Sequence, residues 1–440
     1  MWFWKSKARQ TVEEAPLPLI SVVPFPAVEQ KPSQEPVISV CKTPDLPRLL
    51  IVALDDADRK AFQGRLTPLK SKWSLDITTS GSEALELLAK EPHAAVITGS
   101  DLSDMGREEF ESRVASDFPK LPRFLLAENT APIVRPTGKP TTHSICKSAG
   151  ASEWDATIRR ILLVNTWAVS ESVQSLLSHL RKLPVIPKLY QEVVSALQSP
   201  DTSFESVADL IARDPMMTAK MLQVANSTHF ALPQPVTRAV DAVMFLGTER
   251  VKGLILVQHV FTEFESSRAT GLRLDELWKH SLETGACAQA IARWEMQSER
   301  HAELAFTAGM LHDVGKLLLA GNLPTEFRCA MDISHDRQMP LQQAERSVFS
   351  VSHAEVAGML LAMWRLPIEM VHAVGWHHTP AESGDKEFSI LTAVHAGNVL
   401  AHFKTIPGNR SPVTGDFDVA YLHQLDLEHH IGEWAHTCGI

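Results

Sequence analysis

The chain is poor in the residues that staple or anchor a protein. Its five cysteines, Cys41, Cys146, Cys287, Cys329 and Cys438, stand far apart with no CxxC pair. That spacing excludes a disulfide framework and a zinc ribbon, and it fits a reducing cytoplasm. No apolar run is long enough to span a bilayer or to form the core of a secretion signal. The opening MWFWKSKARQ has three aromatic residues and then bases, and reads as a frayed tail unless Trp2, Phe3 and Trp4 dock on a partner or a membrane surface. Basic charge is also short: 42 Lys plus Arg against 52 Asp plus Glu give a formal charge of -10. Nothing global then attracts a phosphate backbone, and nucleic acid is not expected as a partner. What is present, 44% hydrophobic and 21% charged residues over 440 positions, suffices for two or three domains with sizeable cores.

Residues 11–48 carry eight prolines without helical or strand periodicity, so 1–46 reads as a Pro-rich disordered tail or tether. From Leu49, short apolar runs (LLIVAL, LDITT, AAVIT, RFLLA) alternate with amphipathic stretches. This is the pattern of a parallel sheet with helices on both faces, assigned to 47–155. Residues 156–181 have helical spacing at Ile158, Ile161, Leu162, Val169, Val173 and Leu176 and read as a connecting helix. Beyond LPVIP, helix follows helix to about residue 405. Thr202 with Glu205 has capping-box spacing, and Asp214 followed by Pro215 is an N-cap and N1 pair. Met216, Met217 and Met221 are expected in the core, and Asn226 and Ser227 as local backbone caps. Residues 406–440 form a C-terminal extension with a helix candidate near 418–434.

The first domain, with TSGSEALELL after its second strand, resembles the flavodoxin-like receiver domain of two-component response regulators. That resemblance implies Mg²⁺-binding acids ending the first strand, a phosphoacceptor Asp ending the third, a hydroxyl ending the fourth and a Lys ending the fifth. Those places fall on Ala53 and Leu54, on Thr98, on Ala127 and on Lys147, so only the lysine matches. A two-residue shift would bring in Asp55 and Asp56 but would break the match of Arg59 to the next helix. Asp101 and Asp104 read as a solvated acidic loop. The domain is expected to be a pseudo-receiver, a docking or dimerising module that aspartyl phosphorylation does not switch.

Ten of the 19 histidines lie between 280 and 402. His280, His353 and His395 each sit in an apolar helical stretch; GMLHDVGK pairs His312 with Asp313 and places Lys316 after them, and His377 and His378 form a doublet. Taken singly, each would read as a buried imidazole bonded to a backbone carbonyl. Adjacent residues on a helix diverge by about 100°, so the two doublets suit two neighbouring metals, or one metal and a water, better than one ion chelated from one side. Imidazoles with a bridging carboxylate can hold a pair of Fe, Mn or Zn ions that activates water and clamps a phosphoester.

This order of ligands resembles the HD superfamily of metal-dependent phosphohydrolases, including its cyclic di-GMP-cleaving HD-GYP branch. Upstream, LPVIPKLYQEVVSAL, VADLIARDPMMTAKMLQVANSTHF and RAVDAVMFLGTERVKGLIL are similar to the HDOD family, the HD-related output domain of bacterial signalling proteins, over about 175–405. The resemblance implies an all-α domain with metal ligands His280, His312, Asp313, His353, His377, His378 and His395, the last replacing an expected Asp, with Asn398 three residues on. It implies Asp313 as bridge and Lys316 as phosphate contact if the site is active. HHTPAESGDKEFS lacks the Gly-Tyr-Pro signature and carries Glu382, Asp385 and Glu387, which would repel a dianion if they faced the site. Three functions stay open: a non-catalytic signalling regulator working through contacts with other signalling proteins or a second copy of itself; a phosphohydrolase acting on a cyclic dinucleotide or another nucleotide; and a sensor that binds nucleotide or metal without turnover.

Overall fold

The computed structural model describes residues 46–52, 67–99, 102–127, 142–146, 148–168, 176, 179–199, 202–227, 234–265, 270–405 and 417–440. The tail up to residue 45, the receiver positions Ala53, Leu54 and Lys147, and Asp55, Asp56, Arg59 and Asp101 lie outside these residues.

Five short strands, β1 (Arg48–Val52), β2 (Ser74–Thr78), β3 (Ala95–Thr98), β4 (Arg123–Ala127) and β5 (Thr142–Cys146), pair in parallel in the order β2-β1-β3-β4-β5. This is the doubly wound order of flavodoxin-like sheets. Strand alternation distributes the side chains: Leu49 and Ile51 join Trp73, Trp154 and Ile158 on one face, and Leu50 and Val52 join Ala84, Phe110 and Val114 on the other. A sheet covered on both faces must be apolar on both, which is why LLIV runs on without polar interruption. Helices α1 (Gly81–Lys90) and α2 (Arg107–Asp117) supply the second face. Thr98 ends β3 and is buried.

Asp104 is not merely a solvated loop acid. Its carboxylate accepts from the backbone N–H groups of Gly81 (2.7 Å) and Ser82 (3.0 Å) and from the Ser80 hydroxyl (2.9 Å). Those bonds satisfy donors that the first turn of α1 leaves without partners and hold the Asp104 pKa well below the usual carboxylate value.

The helix expected from 156 starts earlier, as α3 (Ala151–Ala168). Trp154, Ile158 and Ile161 bury against the sheet, and Asp155 accepts from Trp73 Nε1 (2.8 Å), Lys72 Nζ (2.7 Å) and Arg159 Nε (2.9 Å). The helix is thus recruited as the last layer of the α/β unit.

The helical part begins with α4 (Lys188–Leu197), α5 (Phe204–Ala212), α6 (Pro215–Ala225), α7 (Ala239–Leu246) and α8 (Thr248–Glu263). Asp214 caps α6 by accepting from Met217 N–H. The cap of α5 is Ser203, which accepts from Ser206 N–H, rather than Thr202, whose hydroxyl turns back to the Ala196 carbonyl. Met217 and Met221 are buried, whereas Met216, at the start of α6, is exposed. Asn226 clasps Val236, donating to its carbonyl and accepting from its N–H.

The second half contains α9 (Leu274–Met296), α10 (Glu299–Leu311), α11 (Val314–Asn322), α12 (Pro324–Asp336), α13 (Leu341–Phe349), α14 (His353–Met363), α15 (Ile368–Trp376) and α16 (Ile390–Thr405), followed by α17 (Val419–Gln424) and α18 (Ile431–Thr437). Helix α9 packs along both α10 and α16. Where α9 meets α10, a Cβ on Gly309 would stand 2.7 Å from Gly285 Cα, so the two backbones touch only because both residues lack a side chain. One core runs through these helices, and α3 rests on α14 and α15.

Candidate metal centre

Four helix ends and one helix interior meet around Asp313. His280 lies within α9; His312 ends α10 and Asp313 begins α11; His353 begins α14; His377 ends α15 and His378 follows it. His312, Asp313, His353 and His377 are each no more than 1% exposed.

Three of the imidazoles, His312, His353 and His377, share one orientation, whereas His280 turns the other way, with Nε2 bonded to Asn398 and Nδ1 buried without a bond. His312 donates through Nδ1 to the Gly309 carbonyl (2.6 Å), and His377 donates through Nδ1 to the Val374 carbonyl (2.7 Å). His353 donates through Nδ1 to Glu345 Oε2 (2.6 Å), which also takes the His353 backbone N–H (2.8 Å). With Nδ1–H committed, each Nε2 keeps its lone pair and points inward, the tautomer that a ligating histidine needs. His353 Nε2 lies 3.0 Å from Asp313 Oδ1 and 3.0 Å from His378 Nε2; His312 Nε2 lies 3.4 Å from Asp313 Oδ2, and His377 Nε2 4.0 Å from Oδ1. His312 Nε2 and His377 Nε2 are buried and accept no hydrogen bond. His312 Nε2 and His377 Nε2 therefore bring lone pairs toward the Asp313 carboxylate with no proton between them, and a cation resolves the conflict. By this test the residues fit a metal.

Asp313 divides the donors into two overlapping groups, one with His353, His377 and His378 and one with His280 and His312, each close enough to share an ion. Electrostatics agree with that reading. Burial pushes the His312 pKa down to about 3 and, with the neighbouring rings, those of His377 and His378 well below the usual value, so these rings stay neutral. Burial alone would also lower His353, but the Glu345 carboxylate, with Asp313 beyond it, outweighs burial and raises the value, so without metal His353 is the ring that takes up positive charge where a cation would sit. Burial would raise Asp313; the Lys316 ammonium and the His353 ring outweigh it and hold the acid well below its usual value. Lys316 does not reach outward: its Nζ donates to Asp313 Oδ2 at 2.6 Å.

His395 does not join the group. It donates through Nδ1 to the His377 carbonyl (2.8 Å), and its Nε2 accepts from Asp418 N–H (3.0 Å), so neither nitrogen is left for a metal. Two polar residues outside the sequence-derived set do belong here. Glu345, 0% exposed, fixes His353, and Asn398 Oδ1 lies 2.9 Å from His280 Nε2. Asn398 carried a sequence signal, a polar residue within an apolar helical stretch; Glu345, in the amphipathic LQQAERSVF, carried none.

Beside the cluster lies a 520 Å³ cavity lined by Pro340, Gln342, His378, His395, Asn398, Val399, His402, Phe403, Phe417 and Asp418. No Lys or Arg is among this described lining, nor are Glu382, Asp385 and Glu387. Asp385 instead accepts from the Ser389 hydroxyl (2.6 Å) and sits 3.7 Å from His372 Nδ1.

Residues 183–380 match the HDOD domain family model. An uncharacterized protein of Treponema pallidum (strain Nichols) is 21% identical over 57% of this chain, which spans 49% of that relative's length. Among solved structures, an HDOD domain protein of unknown function from Geobacter sulfurreducens is 24% identical, with a TM-score of 0.48, over 62% of this chain and 89% of the other. A protein from Shewanella amazonensis SB2B assigned as a metal-dependent phosphohydrolase is 18% identical, with a TM-score of 0.40, over 64% of this chain and 97% of the other.

Proposed function

From the HDOD domain at residues 183–380, we propose that the chain is a bacterial signal-transduction regulator. In this reading the α/β unit is a pseudo-receiver, the helical domain is the output, and both act through contacts with other signalling proteins. The buried His/Asp cluster takes divalent metal, Fe, Mn or Zn, to hold α9, α10, α14 and α15 together, and it does not turn over substrate. The observation that supports the non-catalytic part is the cavity wall: apart from metal in the cluster, its described lining offers neither Lys nor Arg to a phosphoester's oxygens, so substrate capture would fall to the metal alone. Lys316, beside the cluster, is taken up by Asp313.

The sharing of Asp313 between two donor groups favours a second reading, a dinuclear phosphohydrolase acting on a cyclic dinucleotide or other nucleotide. A bound metal pair would supply Lewis acidity and an activated water; the chain would supply Asp313 as the shared ligand and Asn398 to orient His280. The two readings separate on metal analysis of the purified protein, followed by assay of wild type and Asp313→Ala against cyclic di-GMP and a generic phosphodiester with Mn²⁺ or Fe²⁺. The regulator reading expects bound metal in the wild type, its loss in the variant, and no turnover in either. Multiple-turnover hydrolysis by the wild type, abolished in Asp313→Ala, would put the enzyme first.

A further inference from the structure

The match to the HDOD family ends at residue 380, yet most of the described cavity wall and the bracing of His377 come from beyond it. His395, 5% exposed, stands between two backbones. Its Nδ1–H holds the His377 carbonyl at 2.8 Å, and its Nε2 is held by the Asp418 N–H at 3.0 Å. Asp418 is itself fixed: its Oδ1 accepts from Tyr421 N–H (3.0 Å), and the Tyr421 hydroxyl meets Thr392 Oγ1 on α16 (2.8 Å). Farther along, Trp434, 0% exposed, donates through Nε1 to Glu295 Oε1 (2.9 Å), the oxygen that His430 Nδ1 also reaches (2.6 Å).

We propose that the C-terminal segment 417–440 is an integral part of the metal centre, with His395 as a positioning residue that relays the Asp418 N–H to the His377 carbonyl. The proposal rests on the metal reading above. His377 lies at the end of α15, where a carbonyl has no helical partner. The donor from His395 supplies one, and so fixes the peptide that carries both His377 and His378. Because Nε2 accepts from Asp418, the proton must sit on Nδ1; the C-terminal segment thereby selects the tautomer that can hold His377. Phe417 and Asp418 also line the cavity next to His378, so the same segment closes the site and steadies its ligands.

The backbone allows a clean test, because Asp418 has φ -72, a value proline adopts. Asp418→Pro removes the N–H and the side-chain cap together, whereas Asp418→Ala removes only the cap. His395→Phe keeps a ring of similar volume and makes neither bond, without touching the backbone. Each full-length variant is freed of metal, checked for folding by circular dichroism and titrated with Co²⁺, whose visible bands report ligand geometry. The expected result is Co²⁺ affinity about 10- to 100-fold weaker, the range for residues that orient ligands, and shifted bands in Asp418→Pro and His395→Phe, with Asp418→Ala close to wild type. Unchanged affinity and bands in a folded His395→Phe, or equal losses in Asp418→Pro and Asp418→Ala, would overturn the relay alone. No Co²⁺ binding by the wild type would overturn the metal reading and the relay together.

Discussion

At the scale of single residues, the site depends on what each imidazole does with the nitrogen that faces away from the centre. His312 and His377 commit it to backbone carbonyls, which no substitution can remove, but His353 commits it to a side chain, Glu345. Glu345→Gln leaves an acceptor for Nδ1–H and removes the negative charge that favours positive charge on His353. Metal affinity is expected to fall by about 10-fold, the low end of the range for such partners, and further in Glu345→Ala, as read by competition with a chromophoric chelator. Equal affinity in wild type and Glu345→Ala would mean that His353 is not a ligand. The histidines were legible in the sequence because imidazole next to carboxylate is chemically distinctive even within apolar surroundings. Glu345 was not, because a single buried acid in an amphipathic helix looks like a solvated one until its partner eight residues on folds against it. His395 was read as a ligand because residue type alone cannot show that Asp418 has taken its second nitrogen.

At the scale of elements, α3 is the informative case. Its apolar spacing was readable, but its role was not, since a helix that closes a sheet and a helix that links two domains present the same periodicity. The Trp73–Asp155 hydrogen bond joins positions too far apart for any local pattern. Burial would raise the Asp155 pKa, but the bonds from Lys72, Arg159 and Trp73 outweigh it and lower the value in the fold. A lowered folded value means that the group stabilises fully above its unfolded pKa of about 3.9 and that this contribution is lost as pH falls through the folded value. Asp155→Asn is therefore expected to cost about 1–3 kcal/mol near neutral pH, the range for a hydrogen-bonded charged group. The gap to wild type should begin to narrow below about pH 4 and close as the pH passes the lower folded value. Urea titrations at pH 7 and pH 3.5 check this, and a gap that persists or widens in acid would refute the ionic account. The central strands β1 and β3, by contrast, were plain in sequence, since burial on both faces leaves uninterrupted apolar runs, whereas β5, with the polar sequence THSIC, gave no such run.

At the scale of the whole molecule, the order of a parallel sheet followed by a helical domain was legible because the hydrophobic period changes once, near LPVIP. What the sequence could not give was how the second half closes on itself, with α9 in contact with α10 and α16 and the segment after 417 returning to the cavity. The touching glycines of α9 and α10 have a consequence in time as well as space. Backbones in contact leave no room for a local opening that admits water to one helix alone, so amides around Gly285 and Gly309 should exchange with deuterium only when the entire helical domain unfolds. Mass-resolved exchange should rank peptides covering 284–289 and 305–311 as the slowest in the chain, with rates that follow global stability in denaturant, whereas peptides from the rim at 380–387 should exchange by fraying. His280 and His312, two of the proposed ligands, sit on those helices, so this half of the centre would outlast the rim in any partial opening and give a fixed reference against which motions of the described residues can be timed.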